Sequence, residues 1–169
     1  VVIHATRHCR FVSKSELREW PLIGTLATGA GTLYIERENR KDAVRMVKEM
    51  ARSLKEGDVL AVFPEGTTGD GFDMLPFHAN LIQSAIDAHA PIQPLAIQFV
   101  DAKTNEISMA ARFVGDDTLV GSIWSTLNST GLKAVVNFGE TEASNGRDRR
   151  AWSQDLRQKV MDLKLACRA

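Results

Sequence analysis

Val62-Phe63-Pro64-Glu65-Gly66-Thr67-Thr68-Gly69-Asp70-Gly71 sets the end of an apolar run against a carboxylate in a glycine-rich turn. The run itself, Val59-Leu60-Ala61-Val62-Phe63, is short, carries branched and aromatic side chains, and lies between Gly57-Asp58 and Pro64. That pattern predicts a buried strand whose end opens into a loop. Glu65, placed where strand gives way to loop, is a candidate for chemistry. It is also suited to accepting backbone N–H bonds within its own turn. Gly66, Gly69 and Gly71 permit the positive φ angles that such a turn uses.

Four more strand-like runs, at residues 9–14, 32–36, 92–100 and 134–139, join the one at 58–63 and alternate with helical patterns. The alternation predicts an α/β fold, a mostly parallel central sheet flanked by helices. Between the second and third runs, Ala43, Val47, Met50, Ala51 and Leu54 recur at helical spacing, and Gly57 follows as a stop. Lys41, Arg45, Lys48, Arg52 and Lys55 occupy the other faces of that helix, which suit either solvent or an anionic lipid surface. Phe77, Leu81, Ile82 and Ile86 predict a helix after Pro76 that ends near Ala90-Pro91. Leu119, Ile123, Trp124 and Leu127 predict another near 118–129, and Trp152, Leu156, Val160 and Leu163 a last one over about 147–165. Residues 97–114 hold two apolar runs around Asp101-Ala102-Lys103-Thr104-Asn105, a hairpin pattern. No repeat, low-complexity tract or linker divides the 169 residues, so one domain over 1–169 is expected.

Lys plus Arg and Asp plus Glu each number 21, so net charge argues against wholesale nucleic-acid binding and any basic site must be local. Hydrophobic residues at 44% and charged residues at 25% are ordinary globular values that argue against disorder. Cys9 and Cys167 stand at opposite ends of the chain, without the spacing of a zinc site or a disulfide framework, and are expected as thiols in a reducing compartment. Asp70, Asp73 and His78 lack recognised ligand spacing, and no metal is expected. Gly24, Gly29 and Gly31 do not match a dinucleotide fingerprint, and no Gly-x-Ser-x-Gly nucleophile elbow is present. No apolar run approaches the roughly 18 residues that span a bilayer, and no signal peptide is visible. The chain opens inside the apolar run Val1-Val2-Ile3 without a start methionine, and a missing upstream segment is expected.

Phe63-Pro64-Glu65-Gly66-Thr67, Gly31-Thr32-Leu33-Tyr34-Ile35-Glu36-Arg37, Lys14-Ser15-Glu16-Leu17 with Trp20-Pro21-Leu22-Ile23-Gly24, and Ala90-Pro91-Ile92-Gln93-Pro94-Leu95 form an ordered set over residues 10–100. They resemble sequence blocks of the glycerolipid acyltransferase family typified by 1-acylglycerol-3-phosphate O-acyltransferase. The resemblance implies transfer of a fatty acyl chain from acyl-CoA or acyl-carrier protein to the free hydroxyl of a lysolipid, without a cofactor or a metal. Lysophosphatidic acid, giving phosphatidic acid in phospholipid biosynthesis, is the first acceptor. The resemblance implies a catalytic role for Glu65, acceptor binding by Lys14, Arg37, Gly66 and Thr67, and an acyl side at Pro91 and Pro94. Residue chemistry supports part of this. Arg37 and Lys14 each follow or end a strand-like run, where a guanidinium and an ammonium can grip phosphate. In a parallel sheet they fall with Glu65 at the carboxyl edge, where open α/β sheets bind ligands. The implied location is the cytoplasmic face of a membrane, with this piece itself soluble.

Two departures qualify the resemblance. The family's catalytic His-x4-Asp pair is absent, since Cys9, Ser13, Gln83 and Pro94 stand five residues after His4, His8, His78 and His89. In the family the pair precedes the Lys14 segment, so it is expected upstream of Val1. Thr68 stands where many members carry an arginine, which brings forward an acceptor without a phosphomonoester, such as a lyso-ornithine lipid. A catalytically inactive homologue that binds lipid or a protein partner is the reading from a different class.

General-base catalysis contributes about 10²–10⁴-fold in rate. These 169 residues, assayed alone with acyl donor and lysolipid, are therefore expected to show little or no acyl transfer. Robust turnover by this piece would overturn the assignment of the base to an upstream histidine.

Overall fold

The five strand-like runs give five strands in two separate sheets, but the run at 59–63 is strand only at Leu60–Ala61 and is not buried as expected: Val59 and Phe63 are exposed. A computed structural model describes residues 2–6, 8–20, 23–35, 40–67, 73–111 and 118–166. Val1, Pro21, Leu22, Arg37, Thr68, Gly69, Asp70, Gly71 and Cys167, all used in the sequence reading, lie outside the described residues. In chain order the elements are α1 (Val2–Thr6), β1 (Arg10–Lys14), a 3-10 helix (Ser15–Glu19), α2 (Ile23–Gly29), β2 (Leu33–Ile35) and α3 (Arg40–Lys55). There follow β3 (Leu60–Ala61), α4 (Ala79–Ala88), β4 (Leu95–Asp101), α5 (Leu119–Asn128), β5 (Leu132–Phe138) and α6 (Arg149–Ala166). The chain divides into two units with interleaved segments. The first comprises Val1–Pro64, His78–Ile92 and Glu142–Ser153; the second comprises Glu65–Phe77, Gln93–Thr141 and Gln154–Ala169.

The first unit holds the parallel sheet, in the order β2-β1-β3. Parallel neighbours cannot be joined by a tight turn, and α3 provides the long return from β2 to β3. Val12↔Leu33 and Lys14↔Ile35 set the register on one side of β1; Arg10↔Leu60 and Phe11↔Ala61 set it on the other. Val12, Ile35, Met46, Met50 and Leu81 make the buried core, with Leu33, Val47, Leu60 and Val62 packed against it. The methionines arrive on α3, which buries Met50 and Ala51 of the predicted stripe together with Met46, while Val44 is exposed. Lys41, Arg45, Lys48, Arg52 and Lys55 are all exposed on the same helix. Cys9 is a buried thiol, and burial pushes its pKa up.

Arg10 ties this unit together. Its Nε donates to the Gly31 carbonyl at 2.6 Å, and its Nη1 donates to Ser53 Oγ at 3.1 Å and to the Asp58 carboxylate. Ser53 Oγ also donates to Asp58 Oδ2 at 2.9 Å. Gly31 adopts φ +71°, and a Cβ there would come within 3.3 Å of Arg10 Nε, so the position needs glycine on both counts. The hydrogen bonds from Arg10 and then Ser53 hold the Asp58 carboxyl below its usual range.

The second unit holds β4 and β5, paired antiparallel from Leu95↔Phe138 to Asp101↔Leu132. The parallel arrangement therefore applies to β1, β2 and β3. The hairpin pattern at 97–114 is present in brief, as a bridge between Val100 and Ile107. Asp101 Oδ1 closes it by accepting the N–H groups of Lys103 at 2.8 Å and Thr104 at 3.0 Å. α5 begins at Thr118, whose hydroxyl accepts the Gly121 N–H. Its apolar residues Val120, Ile123, Trp124 and Leu127 are exposed, while Thr126 turns inward and donates to the Ala110 carbonyl at 3.2 Å. α6 begins at Asp148, which accepts the Arg150 and Ala151 N–H groups, and buries Trp152 and Leu156.

Because the Asp58 pKa is lowered in the folded state, its contribution is fully present above its ordinary value of 3.8 and is lost as pH falls through the folded value. Thermal unfolding of Asp58→Asn against the parent chain should show a stability gap at pH 7 that closes below about pH 4. A gap independent of pH would contradict the ion pair.

Candidate active site

Lys14 is the last residue of β1 and is exposed; parallel register sets it beside Ile35, the last residue of β2. The two strands thus end level at the carboxyl edge of the sheet. Arg37 lies two residues beyond Ile35 in the chain.

The third strand brings the glutamate turn. Phe63, although exposed, stacks on Phe11 of β1 with ring centroids 6.4 Å apart and planes 4° from parallel. The Pro64 carbonyl accepts the His78 N–H at 2.8 Å, so the chain leaves the first unit and re-enters it at bonded positions. Residues 65–77 are the excursion between them.

Within that excursion, Glu65 is half-buried and its Oε2 accepts the Leu75 N–H at 2.8 Å. Gly66 follows at φ +71° and Thr67 is exposed. Glu65 thus takes a backbone N–H from ten residues along the chain rather than from within its own turn. From α6, Arg157 donates through Nε to the Leu75 carbonyl at 3.1 Å and through Nη2 to the Met74 carbonyl. One dipeptide, Met74-Leu75, is therefore held by a carboxylate and a guanidinium.

Pro91 is exposed and belongs to the first unit; Pro94 is buried and belongs to the second. Between them, Ile92 exchanges backbone hydrogen bonds with Glu142 at 2.8 and 2.9 Å. The Arg147 guanidinium bonds Glu142 Oε2 at 2.7 Å and lies 5.4 Å from the centre of the buried Trp152 ring. The Pro94 carbonyl accepts the Gly139 N–H at 2.8 Å, which fixes the start of the β4–β5 pair. Of the sequence-derived candidates, Lys14 and Pro91 lie in the first unit, and Glu65, Gly66, Thr67 and Pro94 in the second. Among the described residues no group of three His, Cys, Asp or Glu side chains is placed to hold a metal ion, and no helix is long and apolar enough to cross a membrane.

Arg10 and Arg157 are absent from the sequence-derived set. Arg10 opens a strand-like run, where its side chain reads as one polar position of an alternating strand. Arg157 directly follows the apolar stripe residue Leu156, and nothing in its spacing distinguishes it from the exposed charges of α6.

The family model described as Acyltransferase matches residues 1–98. A lyso-ornithine lipid O-acyltransferase of Pseudomonas aeruginosa is 35% identical over 150 residues, covering 89% of this chain and 57% of that protein. A 1-acyl-sn-glycerol-3-phosphate acyltransferase of Neisseria gonorrhoeae is 29% identical over 151 residues, covering 89% of this chain and 58% of that protein. The crystal structure of the 1-acyl-sn-glycerophosphate acyltransferase PlsC from Thermotoga maritima superimposes with a TM-score of 0.56 at 20% identity, covering 93% of this chain and 57% of that one. It shows the α/β fold. The chain spans less than two thirds of the length of each of these three proteins.

The positive φ of Gly66 forms the turn that presents Glu65. Gly66→Ala should destabilise the protein by about 1–2 kcal/mol in chemical denaturation, and Gly66→Asn by less, since asparagine tolerates the left-handed region. Equal stability of the alanine variant would show that the turn adopts another conformation.

Proposed function

The chain belongs to the acyltransferase family, and on that premise we propose that it carries out the transfer of a fatty acyl chain to the free hydroxyl of a lysolipid. The observation that carries the reading is the Phe63-Pro64-Glu65-Gly66-Thr67 turn, which follows a parallel strand and is braced at Glu65 by the Leu75 amide. Curated relatives named for two lysolipid acceptors support the substrate class. In this reading residues 1–169 serve one acyltransferase domain acting at the cytoplasmic face of a membrane, with acyl-CoA or acyl-carrier protein as donor and no cofactor.

The acceptor hydroxyl attacks the thioester carbonyl, a base takes its proton, and the thiolate leaves. No His-x4-Asp pair occurs in the chain, and in this reading its residues serve the acceptor and acyl sides of the site. Glu65, Gly66 and Thr67 shape that side, Lys14 and Arg37 bring positive charge, and Pro91 and Pro94 lie toward the acyl chain. A second reading of the acceptor rests on Thr68. With no arginine there, and with 35% identity to a lyso-ornithine lipid O-acyltransferase, a lyso-ornithine lipid stands beside lysophosphatidate.

A charge-assisted hydrogen bond contributes about 1.5–3 kcal/mol, or roughly a 10- to 100-fold change in binding. In the full-length protein, Arg37→Ala should raise the acceptor KM for lysophosphatidate by that order and leave the donor KM alone. Steady-state assays with lysophosphatidate and with lyso-ornithine lipid decide the acceptor. An unchanged KM would remove Arg37 from phosphate binding, and release of free fatty acid without acceptor would make the protein a hydrolase.

A further inference from the structure

Two observations meet on one peptide group. The peptide between Met74 and Leu75 offers its carbonyl oxygen to Arg157 Nη2 and its N–H to Glu65 Oε2, the latter at 2.8 Å. The next carbonyl, that of Leu75, accepts Arg157 Nε at 3.1 Å. Guanidinium, peptide and carboxylate thus form a single chain of hydrogen bonds, with a formal positive charge at one end and a negative charge at the other.

We propose that Arg157 is a positioning residue for Glu65, acting through the Met74-Leu75 peptide to fix which carboxylate oxygen is committed to the turn and which is left for the acceptor. A cation on the carbonyl oxygen withdraws electron density from the amide and strengthens its N–H as a donor, the cooperativity expected of linked hydrogen bonds. The two-pronged grip matters as much. The planar guanidinium bonds two successive carbonyls and so sets the orientation of the peptide plane between them, which a lysine ammonium does less well. With Oε2 held, no hydrogen bond occupies Glu65 Oε1 among the described residues. Oε1 is then the oxygen that accepts from the lysolipid hydroxyl or its headgroup. All three side-chain contacts lie inside the second unit, so the device needs no assumption about the first.

The role rests on the acyl-transfer reading, and the test separates the two. In the full-length protein, hydrogen exchange at the Leu75 amide reads the clamp without any substrate. Arg157→Gln should speed that exchange roughly 10-fold or more, and Arg157→Lys should speed it less. In acyl transfer, Arg157→Gln should lower kcat/KM for the lysolipid roughly 10- to 100-fold with the donor KM unchanged, and Arg157→Lys should recover part of the loss. Glu65→Gln should cost less in the Arg157→Gln background than in the parent, because the two residues act through one peptide. Gln158→Ala, one position along the same helix, serves as the control for damage to α6. Unchanged Leu75 exchange, independent effects of the two substitutions, or a loss no larger than that of Gln158→Ala would overturn the proposal. A parent protein that acylates no lysolipid would overturn the proposed function, while Leu75 exchange would still decide the clamp.

Discussion

The first unit depends on the guanidinium of Arg10. It reaches Gly31 before β2, Ser53 near the end of α3 and Asp58 before β3. Its own N–H adds a bond to the Val59 carbonyl at 2.8 Å. Lysine could not replace it, because an ammonium lacks the flat fork that reaches a carbonyl, a hydroxyl and a carboxylate together. The consequence is positional. Arg10 starts the central strand, so pinning it to the segments that lead into β2 and β3 fixes where all three strands begin. Lys14 and Ile35 then end level at the carboxyl edge of that sheet.

A second carboxylate works differently. Asp58 is held by a cation and a hydroxyl, and its partners are structural. Glu65 is held on one oxygen by a backbone amide, with the cation displaced to the far side of that peptide. Direct pairing of Arg157 with Glu65 would occupy both carboxylate oxygens in the bidentate geometry that arginine favours and leave the group inert. Interposing a peptide retains a favourable charge arrangement while leaving one oxygen without a hydrogen bond among the described residues. In the proposed reading, where Glu65 meets the acceptor, that arrangement serves the carboxylate better.

The fold was legible because its signals are local. The strand runs at 9–14, 32–36 and 92–100 correspond to β1, β2 and β4, the run at 58–63 to the two residues of β3, and the helical spacing of Met50 and Ala51 marked the buried side of α3. Pairing partners were less legible. The residues of β4, Leu95-Ala96-Ile97-Gln98-Phe99-Val100-Asp101, are mostly apolar, as in a strand of a parallel sheet covered on both faces, yet their burial alternates as in an antiparallel strand covered on one. α5 shows the same limit in another form. Its apolar spacing predicts a helix, yet Val120, Ile123, Trp124 and Leu127 face out while Thr126 bonds inward. Periodicity reports that one face is apolar; it does not report what covers that face. In the candidate site, Glu65 announced itself by its turn, whereas Arg157 did not, because its contacts are to backbone carbonyls some eighty positions away. Backbone acceptors leave no trace in side-chain patterns.

The same distinction bears on acceptor choice. A fold shared at 20% identity constrains where strands and turns fall and says little about which headgroup is gripped. Charge counting says more. A phosphomonoester brings about two negative charges at neutral pH, whereas an amino-acid headgroup brings one carboxylate and one ammonium. In the proposed reading Lys14 and Arg37 serve either headgroup, since arginine binds carboxylate and phosphate in the same forked geometry. In the same reading the position that bears on the choice is Thr68. An arginine there would add a third cation, suited to a dianion and repelled by a headgroup ammonium, whereas threonine adds only a neutral hydroxyl. In the proposed site the discrimination between the two lipids therefore turns on the ammonium. Threonine there removes a like-charge contact with the zwitterionic headgroup, as specificity gained by removing a repulsive element does elsewhere, while two cations remain in the proposed site for lysophosphatidate.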